Sequence, residues 1–227
     1  MKTIKYAWLA GLAAASLLLA GSSEAQTNFT GTVTVNQNIP DGNPVGLVSQ
    51  TTFSGLTGTI SSMSLNLDIT GGYNGDLYAY LVGPNSTTLV LLNRVGLSSA
   101  NDFGYSDSGF NITLTNGASD LHFYQAGSYT LSGGQLIGSW APDGATISPN
   151  SAGSAYDGTT AGNFNLFNNT DPNGEWTLFV ADLANGGGQS MIVDWSLTIV
   201  TDVPEPQTWA LMIGGVGALL ALRRRKV

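Results

Sequence analysis

Few side chains in this chain could do chemistry, and His122 comes first because it is the single histidine. A serine-nucleophile triad needs a histidine together with a subtilisin-type domain or a Gly-x-Ser-x-Gly elbow. Neither accompanies the segment Ser119-Asp120-Leu121-His122-Phe123. A zinc site would need a second histidine or cysteine ligands. We therefore expect His122 to be a surface or half-buried structural residue and not a general base.

Carboxylates are the other reactive groups, since the chain has 15 Asp and Glu against seven Lys and Arg. A glycosidase uses a pair of carboxylates, but nothing in the spacing selects a pair here. The chain has no cysteine, which excludes thiol catalysis, disulfides and iron–sulfur clusters. We expect no enzymatic activity from this chain.

Turns rich in glycine and aspartate suggest a bound cation as an alternative use of the carboxylates. Gly71–Asp76 resembles part of a calcium-binding nonapeptide, and Asp171–Gly174 begins like an EF-hand loop, but neither continues its pattern. Both are interpreted as plain turns. Oxygen ligands are plentiful, however, so Asp68, Asp76 and Asp182 are the candidate ligands of a calcium ion. No other cofactor is indicated.

Two tyrosines are candidates for a surface on which sugar rings stack. Tyr78 and Tyr80 alternate with apolar residues, whereas Trp176 and Trp195 share a face with aliphatic residues and are expected in the core. The alternative is that the tyrosines cover the second face of a sheet or lie under loops.

The charges are unevenly distributed along the chain. Between Gln26 and Asp202 there are thirteen acids and a single base, Arg94. Such a body has no basic face to grip phosphates, which argues against a nucleic-acid partner. Charged residues make up only 10% of the chain, which argues against long solvated helices or a coiled coil.

The first 25 residues have the pattern of a secretory signal peptide. Lys2 and Lys5 precede an apolar run, and a small-x-small pattern ends at Ala25. We expect signal peptidase to cut between Ala25 and Gln26. The alternative is an uncleaved membrane anchor, for which the apolar run is short.

The body, residues 26–202, alternates apolar and polar residues with a period of two. The apolar series are Met63, Leu65, Leu67 and Ile69; Phe110, Ile112 and Leu114; and Met191, Val193, Trp195, Leu197 and Ile199, with Ile192 on the opposite face. This alternation predicts strands that are covered on one face only. We predict an all-β fold, an antiparallel β-sandwich of the jelly-roll type, with long loops from about Asp120 to Gly162.

A family resemblance follows from five segments of the body. They are Ile39-Pro40-Asp41, Leu67-Asp68-Ile69-Thr70, Gly75-Asp76-Leu77, Asn173-Gly174-Glu175-Trp176-Thr177-Leu178 and Asp194-Trp195-Ser196-Leu197. The pattern resembles the P domain, or P/Homo B domain, which follows the catalytic domain of proprotein convertases and many bacterial subtilisin-like proteases. The resemblance implies an eight-stranded jelly roll that stabilises a neighbouring protease domain, with calcium bound in some members. Gly71 stands where the family usually has histidine.

The last part of the chain, residues 203–227, has three components. They are the motif Val203, Pro204, Glu205 and Pro206, the apolar run from Thr208 to Leu222, and the basic tail Arg223, Arg224, Arg225 and Lys226. The prolines keep the motif extended, and the basic tail is expected in the cytoplasm. This ending resembles the PEP-CTERM sorting signal of Gram-negative bacteria. The resemblance implies a transient transmembrane helix, cleavage near the motif by an exosortase, and delivery to the cell surface, often alongside exopolysaccharide. An ordinary C-terminal anchor is the alternative.

Two functions are compatible with these features. In the first, the chain is a non-catalytic protein of the outer cell surface or extracellular matrix, and its sandwich is a binding or structural module. Its partners would be signal peptidase, an exosortase, the inner membrane transiently, and exopolysaccharide. In the second, it is an accessory or regulatory P domain that partners a separate, secreted subtilisin-like protease.

Overall fold

The computed structural model of the chain describes residues 24–204 and 214–217. The chain divides into a compact unit of residues 28–201 and a second unit made of residues 1–27 and 202–227. Within the second unit, Nε2 of Gln26 donates a hydrogen bond to Oδ1 of Asp202 at 3.2 Å. The predicted signal peptide up to residue 23 lies outside the described residues. So does the predicted sorting signal after Pro204, except for residues 214–217.

Ten β-strands make up most of the regular structure of the described residues. They are β1 (Glu24–Asn38), β2 (Asn43–Phe53), β3 (Thr59–Thr70), β4 (Leu77–Val82), β5 (Thr88–Asn93), β6 (Gly109–Thr115), β7 (Thr130–Ser132), β8 (Gln135–Trp140), β9 (Gly174–Asp182) and β10 (Met191–Pro204). Short 3-10 helices lie at Asn74–Asp76, Tyr124–Ala126, Gly153–Ala155 and Phe164–Phe167, and residues 214–217 are helical. In the part of the chain that the structure describes, no helix has the length and apolar character needed to span a membrane.

The strands form two sheets, as the sequence predicts. One has six strands in the order β1-β10-β3-β6-β8-β7, and the other has four in the order β2-β9-β4-β5. The four-stranded sheet is antiparallel throughout, but in the six-stranded sheet β8 runs parallel to β6. The prediction of a purely antiparallel sandwich is therefore wrong at this pair. A parallel pair needs a long crossover, which residues 116–134 supply.

Apolar side chains from both sheets form one buried core. Leu67 of β3, Leu81 of β4 and Leu178 of β9 are all 0–1% exposed and belong to the same hydrophobic cluster. Burying a side chain of this size stabilises the fold by about 1.5–3 kcal/mol. Trp176 and Trp195 are fully buried, which confirms their predicted place in the core.

Each buried tryptophan has a partner for its indole N–H. Nε1 of Trp176 donates to the carbonyl oxygen of Pro172 at 3.0 Å, and Nε1 of Trp195 donates to Oγ of Ser49 at 2.9 Å. A buried N–H without such a partner would cost about 1–3 kcal/mol. These two bonds therefore let the large aromatic rings fill the core without leaving a buried N–H group unpaired.

The predicted alternation holds in β3 and β6 but fails at the start of β10. Ile192 is fully buried, whereas Met191 and Val193 are only half-buried. Because all three residues are apolar, a period of two cannot decide which of them points inward. The prediction that Ile192 lies on the face opposite the core is therefore wrong. From Trp195, which is fully buried, the predicted inward residues are correct again.

The stretch from Asp120 to Gly162, predicted as loops, contains β7 and β8. The strand β8 completes the six-stranded sheet beside β6, and Asp120 forms a further parallel bridge with Ala141. Gly138 lies in the middle of β8, and a strand glycine weakens the sequence signal for a strand. The rest of this stretch is irregular and includes two short 3-10 helices.

Candidate functional site

The outer face of the six-stranded sheet contains a shallow polar depression of about 480 Å³, which we call the trough. Its lining includes Asn66, Asp68, Asn111, Thr113, Ser139 and Asp194. These residues alternate with core residues along β3, β6, β8 and β10, so their side chains lie on the solvent side of the sheet. Thr32 extends the lining onto β1. The trough therefore crosses five neighbouring strands.

Cross-strand pairing determines which trough residues are neighbours. Asn66 pairs with Thr113, and Thr113 pairs with Ser139, which makes one row across three strands. Oγ1 of Thr113 donates to Oδ1 of Asn66 at 2.8 Å. On the same face Nε2 of Gln135 donates to Oδ1 of Asp68 at 2.7 Å. These bonds hold polar side chains in place before any ligand arrives.

The outer face of the four-stranded sheet is different, because it carries an aromatic cluster that we call the aromatic patch. The patch consists of Tyr78, Tyr80 and Phe179, and Val48, which is 56% exposed, pairs with Phe179 across β2 and β9. The rings of Tyr80 and Phe179 stack with centroids 4.7 Å apart. This distance equals the spacing of neighbouring strands, so the two rings stand side by side and cover one face of each other. The predicted sugar-stacking surface is thus partly occupied by the protein itself.

The three predicted calcium ligands do not form one set. Asp76 and Asp182 lie close enough for their charges to interact, whereas Asp68 lies in the trough on the other sheet. Among residues 24–204 and 214–217, no three acidic or histidine side chains are placed to hold a metal ion. Oδ1 of Asp182 already accepts from the N–H of Ala184 at 3.3 Å. The described residues therefore do not fit a calcium site built on these three carboxylates.

Asp76 and Asp182 instead form a buried pair of like charges. Asp76 is 6% exposed and Asp182 is fully buried. Burial, followed by the negative charges of Asp182 and Asp41 and opposed by Arg94, raises the pKa of Asp76 to about 6. Burial also raises the pKa of Asp182. Ionising both carboxylates destabilises the folded state, because two negative charges then lie close together in the interior.

His122 lies in the interior, so the expectation of a surface or half-buried side chain is wrong. The ring is 0% exposed, with Nδ1 2.7 Å from Oδ2 of Asp143 and Nε2 2.9 Å from the carbonyl oxygen of Leu97. Burial would lower the pKa of His122, but the hydrogen bond and negative charge of Asp143 outweigh it and raise the pKa. Both ring nitrogens face acceptor oxygens, and this arrangement favours the charged form of the ring in a buried ion pair with Asp143.

Other buried groups complete this network. Oδ2 of Asp143 also accepts from the N–H of Asn93 at 3.0 Å, and the amide of Asn93 donates to the carbonyl oxygens of Ala145 and Ile147, both at 2.9 Å. The ring of Tyr156 stacks on the His122 ring at 5.3 Å. With neither ring nitrogen of His122 available, this histidine cannot accept a proton from a substrate.

The sequence alone does not predict the trough, although it contains the polar residues that line it. Asn66, Asp68 and Asn111 stand between apolar residues of the predicted strands, but nothing in their spacing places β6 beside β3 and β8. The predicted cleavage junction between Ala25 and Gln26 falls within β1. Of the predicted sorting motif, Val203 and Pro204 end β10, and Glu205, Pro206 and the basic tail lie outside the described residues.

No family model and no curated protein matches the chain. Among solved structures, the serine protease of Aeromonas sobria in complex with its chaperone is similar, with a TM-score of 0.44 and 15% identity over 85% of this chain and 29% of that chain. A second structure of the Aeromonas sobria serine protease gives a TM-score of 0.42 and 15% identity over 78% of this chain and 27% of that chain. The chain spans less than a third of the length of these solved chains.

The first prediction concerns the buried ion pair. His122→Phe keeps a ring against Tyr156 but leaves the carboxylate of Asp143 buried without its partner, which should lower the free energy of unfolding by about 3–5 kcal/mol. Because the folded-state pKa of His122 is raised, its contribution is complete below the unfolded value of 6.5 and is lost as the pH rises through the folded-state pKa. Urea unfolding at several pH values measures both effects.

The double variant His122→Phe/Asp143→Leu is the control for this prediction. It removes the buried charge altogether, so it should recover part of the lost stability and show a weaker dependence on pH above 6.5. A single variant as stable as the wild-type protein at pH 6 would contradict the role of the pair.

The second prediction concerns the buried carboxylates. Asp76 holds a proton more tightly in the folded state than in the unfolded state, so its contribution should lower stability as the pH rises from about 4 to about 6. Asp76→Asn removes the charge and should raise the free energy of unfolding at pH 7.5 by about 1–3 kcal/mol. Denaturant unfolding at pH 4 and pH 7.5 is the measurement.

Asp102→Asn is the matched control, because it removes one negative charge from an exposed position. Its effect on stability should be small and similar at the two pH values. If Asp76→Asn destabilises the protein at pH 7.5, the carboxylate is held by a favourable contact and the prediction fails.

Proposed function

We propose that this chain is an exported, non-catalytic protein of the outer cell surface or extracellular matrix, whose sandwich serves as a binding module. In this proposal the sandwich is a P-domain-like jelly roll, and residues 203–227 are a PEP-CTERM sorting signal. The observation that carries the binding role is the trough, a concave polar surface that extends over five strands of one sheet.

Two features of the described residues favour binding over catalysis. The trough is lined by amide, hydroxyl and carboxylate groups, and His122 is buried away from it in the network with Asp143. General acid–base catalysis needs a titratable group within hydrogen-bonding distance of a substrate. The two carboxylates of the trough, Asp68 on β3 and Asp194 on β10, lie on adjacent strands and can accept hydrogen bonds from a ligand. A surface of this kind recognises a ligand through many weak polar contacts.

The third prediction tests export and sorting. Intact mass of the protein extracted from the cell surface should correspond to a chain that begins at Gln26 and ends near Pro204-Glu205-Pro206. Glu205→Ala should leave an unprocessed, membrane-bound form, because the processing enzyme must recognise the motif. Neutral residues in place of Arg223, Arg224 and Arg225 should let some chains escape uncut, since the basic tail resists translocation.

Glu175→Ala is the matched control, because Glu175 is an exposed acid on β9 far from the motif in sequence. This variant should be processed like the wild-type protein. A mature species that still carries Leu222 to Val227 would overturn the sorting proposal and leave an anchored protein.

The aromatic patch favours the second candidate function, an accessory domain for a secreted subtilisin-like protease. Interfaces between proteins are enriched in tyrosine and phenylalanine at their centres. Tyr80, Phe179 and the exposed Val48 would supply such a centre on the four-stranded sheet. The patch is built from antiparallel strands, which gives it a rigid base.

The fourth prediction tests this candidate by co-elution of the mature chain with a secreted subtilisin-like protease of the same bacterium. If the patch is the interface, Val48→Asp should weaken the complex at least tenfold because it places a charge among apolar groups. Asn85→Asp adds the same charge in an exposed turn and should have no effect. Absence of a complex contradicts the accessory role.

A further inference from the structure

We infer that the trough binds neutral, hydroxyl-rich polysaccharide, an inference that rests on the proposed binding function and names its ligand class. The trough crosses β1, β10, β3, β6 and β8. Four strand spacings of about 4.8 Å give it a span of about 19 Å, which suits an extended polymer better than a small metabolite.

The side chains of the trough are short and their hydrogen-bonding groups are mixed. Asn66 and Asn111 offer amides, Thr113 and Ser139 offer hydroxyls, and Asp194 offers a carboxylate. A sugar hydroxyl both donates and accepts, so it can pair with every one of these groups. Short side chains also leave the depression open, whereas long lysine or glutamate side chains would fill it.

The charge of the trough narrows the ligand class further. None of the described side chains that line it is basic, and Asp68 and Asp194 are both acidic. Arg94, the one base between Gln26 and Asp202, follows β5 of the other sheet. An acidic polysaccharide or a phosphate would therefore be repelled, while a neutral sugar would gain charge-assisted hydrogen bonds to the carboxylates.

Part of the trough is ordered in advance for binding. With Oδ1 of Asn66 taken by Thr113, the amide nitrogen of Asn66 is the group left to donate to a ligand. Gln135 fixes Asp68 in the same way through Oδ1. Side chains already held in place lose less entropy when a ligand binds. The trough has no aromatic ring in its lining, so we expect weak contacts that add up along a polymer.

The fifth prediction is that a neutral polysaccharide slows the migration of the mature chain in a native gel. Affinity electrophoresis, in which each gel contains one soluble polymer, is the measurement. The neutral probes are dextran, galactomannan and arabinogalactan, the acidic probe is alginate, and the cationic probe is polylysine. At least one neutral polymer should retard the protein, and alginate should not. Retardation by polylysine alone, or by alginate, would overturn the inference, as would migration unaffected by all three neutral polymers.

Matched tryptophan variants locate the site. Ser139→Trp fills the trough from an exposed position on β8 and should weaken retardation at least tenfold, whereas Thr88→Trp makes the same change at an exposed position on the other sheet and should leave it unchanged. Asn111→Ala, which removes one amide without filling space, should weaken retardation to a smaller extent. Thermal unfolding verifies that all three variants are folded.

Equal effects of the two tryptophan variants would place binding elsewhere and overturn the inference. The outcome is separable from that of the proposed function, because the intact-mass experiment measures export and processing independently. A protein that is sorted to the surface but binds no neutral polymer would retain a surface role and lose only the ligand class.

Discussion

The ion pair between His122 and Asp143 organises the part of the molecule that has the least regular structure. Both side chains are fully buried, and Asp143 also accepts from the backbone N–H of Asn93 at the end of β5. Breaking such a pair leaves an uncompensated buried charge, which lowers the free energy of unfolding by about 3–5 kcal/mol. The segments before and after β8 are joined by this contact, since His122 precedes the strand and Asp143 follows it.

This constraint connects the interior to the surface. Ala141, directly after β8, donates its N–H to the carbonyl oxygen of Ser119 at 2.8 Å, and Asp143 and Gly144 donate to Leu91 and Val90 of β5 at 3.1 and 3.0 Å. The chain is thereby fixed on both sides of the parallel strand β8. Because β8 contributes Ser139 to the trough, the buried network indirectly completes the candidate binding surface.

The two outer faces offer different chemistry on one scaffold. The six-stranded sheet presents the trough, with amides, hydroxyls and two carboxylates, and the four-stranded sheet presents the aromatic patch around Tyr80 and Phe179. A polar, open face suits a hydrated polymer, whereas stacked rings beside the exposed Val48 suit a protein surface. The scarcity of basic residues also affects the interior, because Arg94, the one base between Gln26 and Asp202, is the cation that opposes the raised pKa of the buried Asp76.

The sequence by itself determined the all-β class, the inward residues of β3 and β6, and the burial of Trp176 and Trp195, because these depend on a local period of two and on apolar content. Only the tertiary structure decided that β8 pairs parallel to β6, that Ile192 points inward, and that His122 is buried against Asp143. Each of these depends on a partner distant in the chain, and local alternation carries no information about which distant segment supplies that partner. The trough has the same origin, since its polar residues become one surface only when five strands take their order in the sheet.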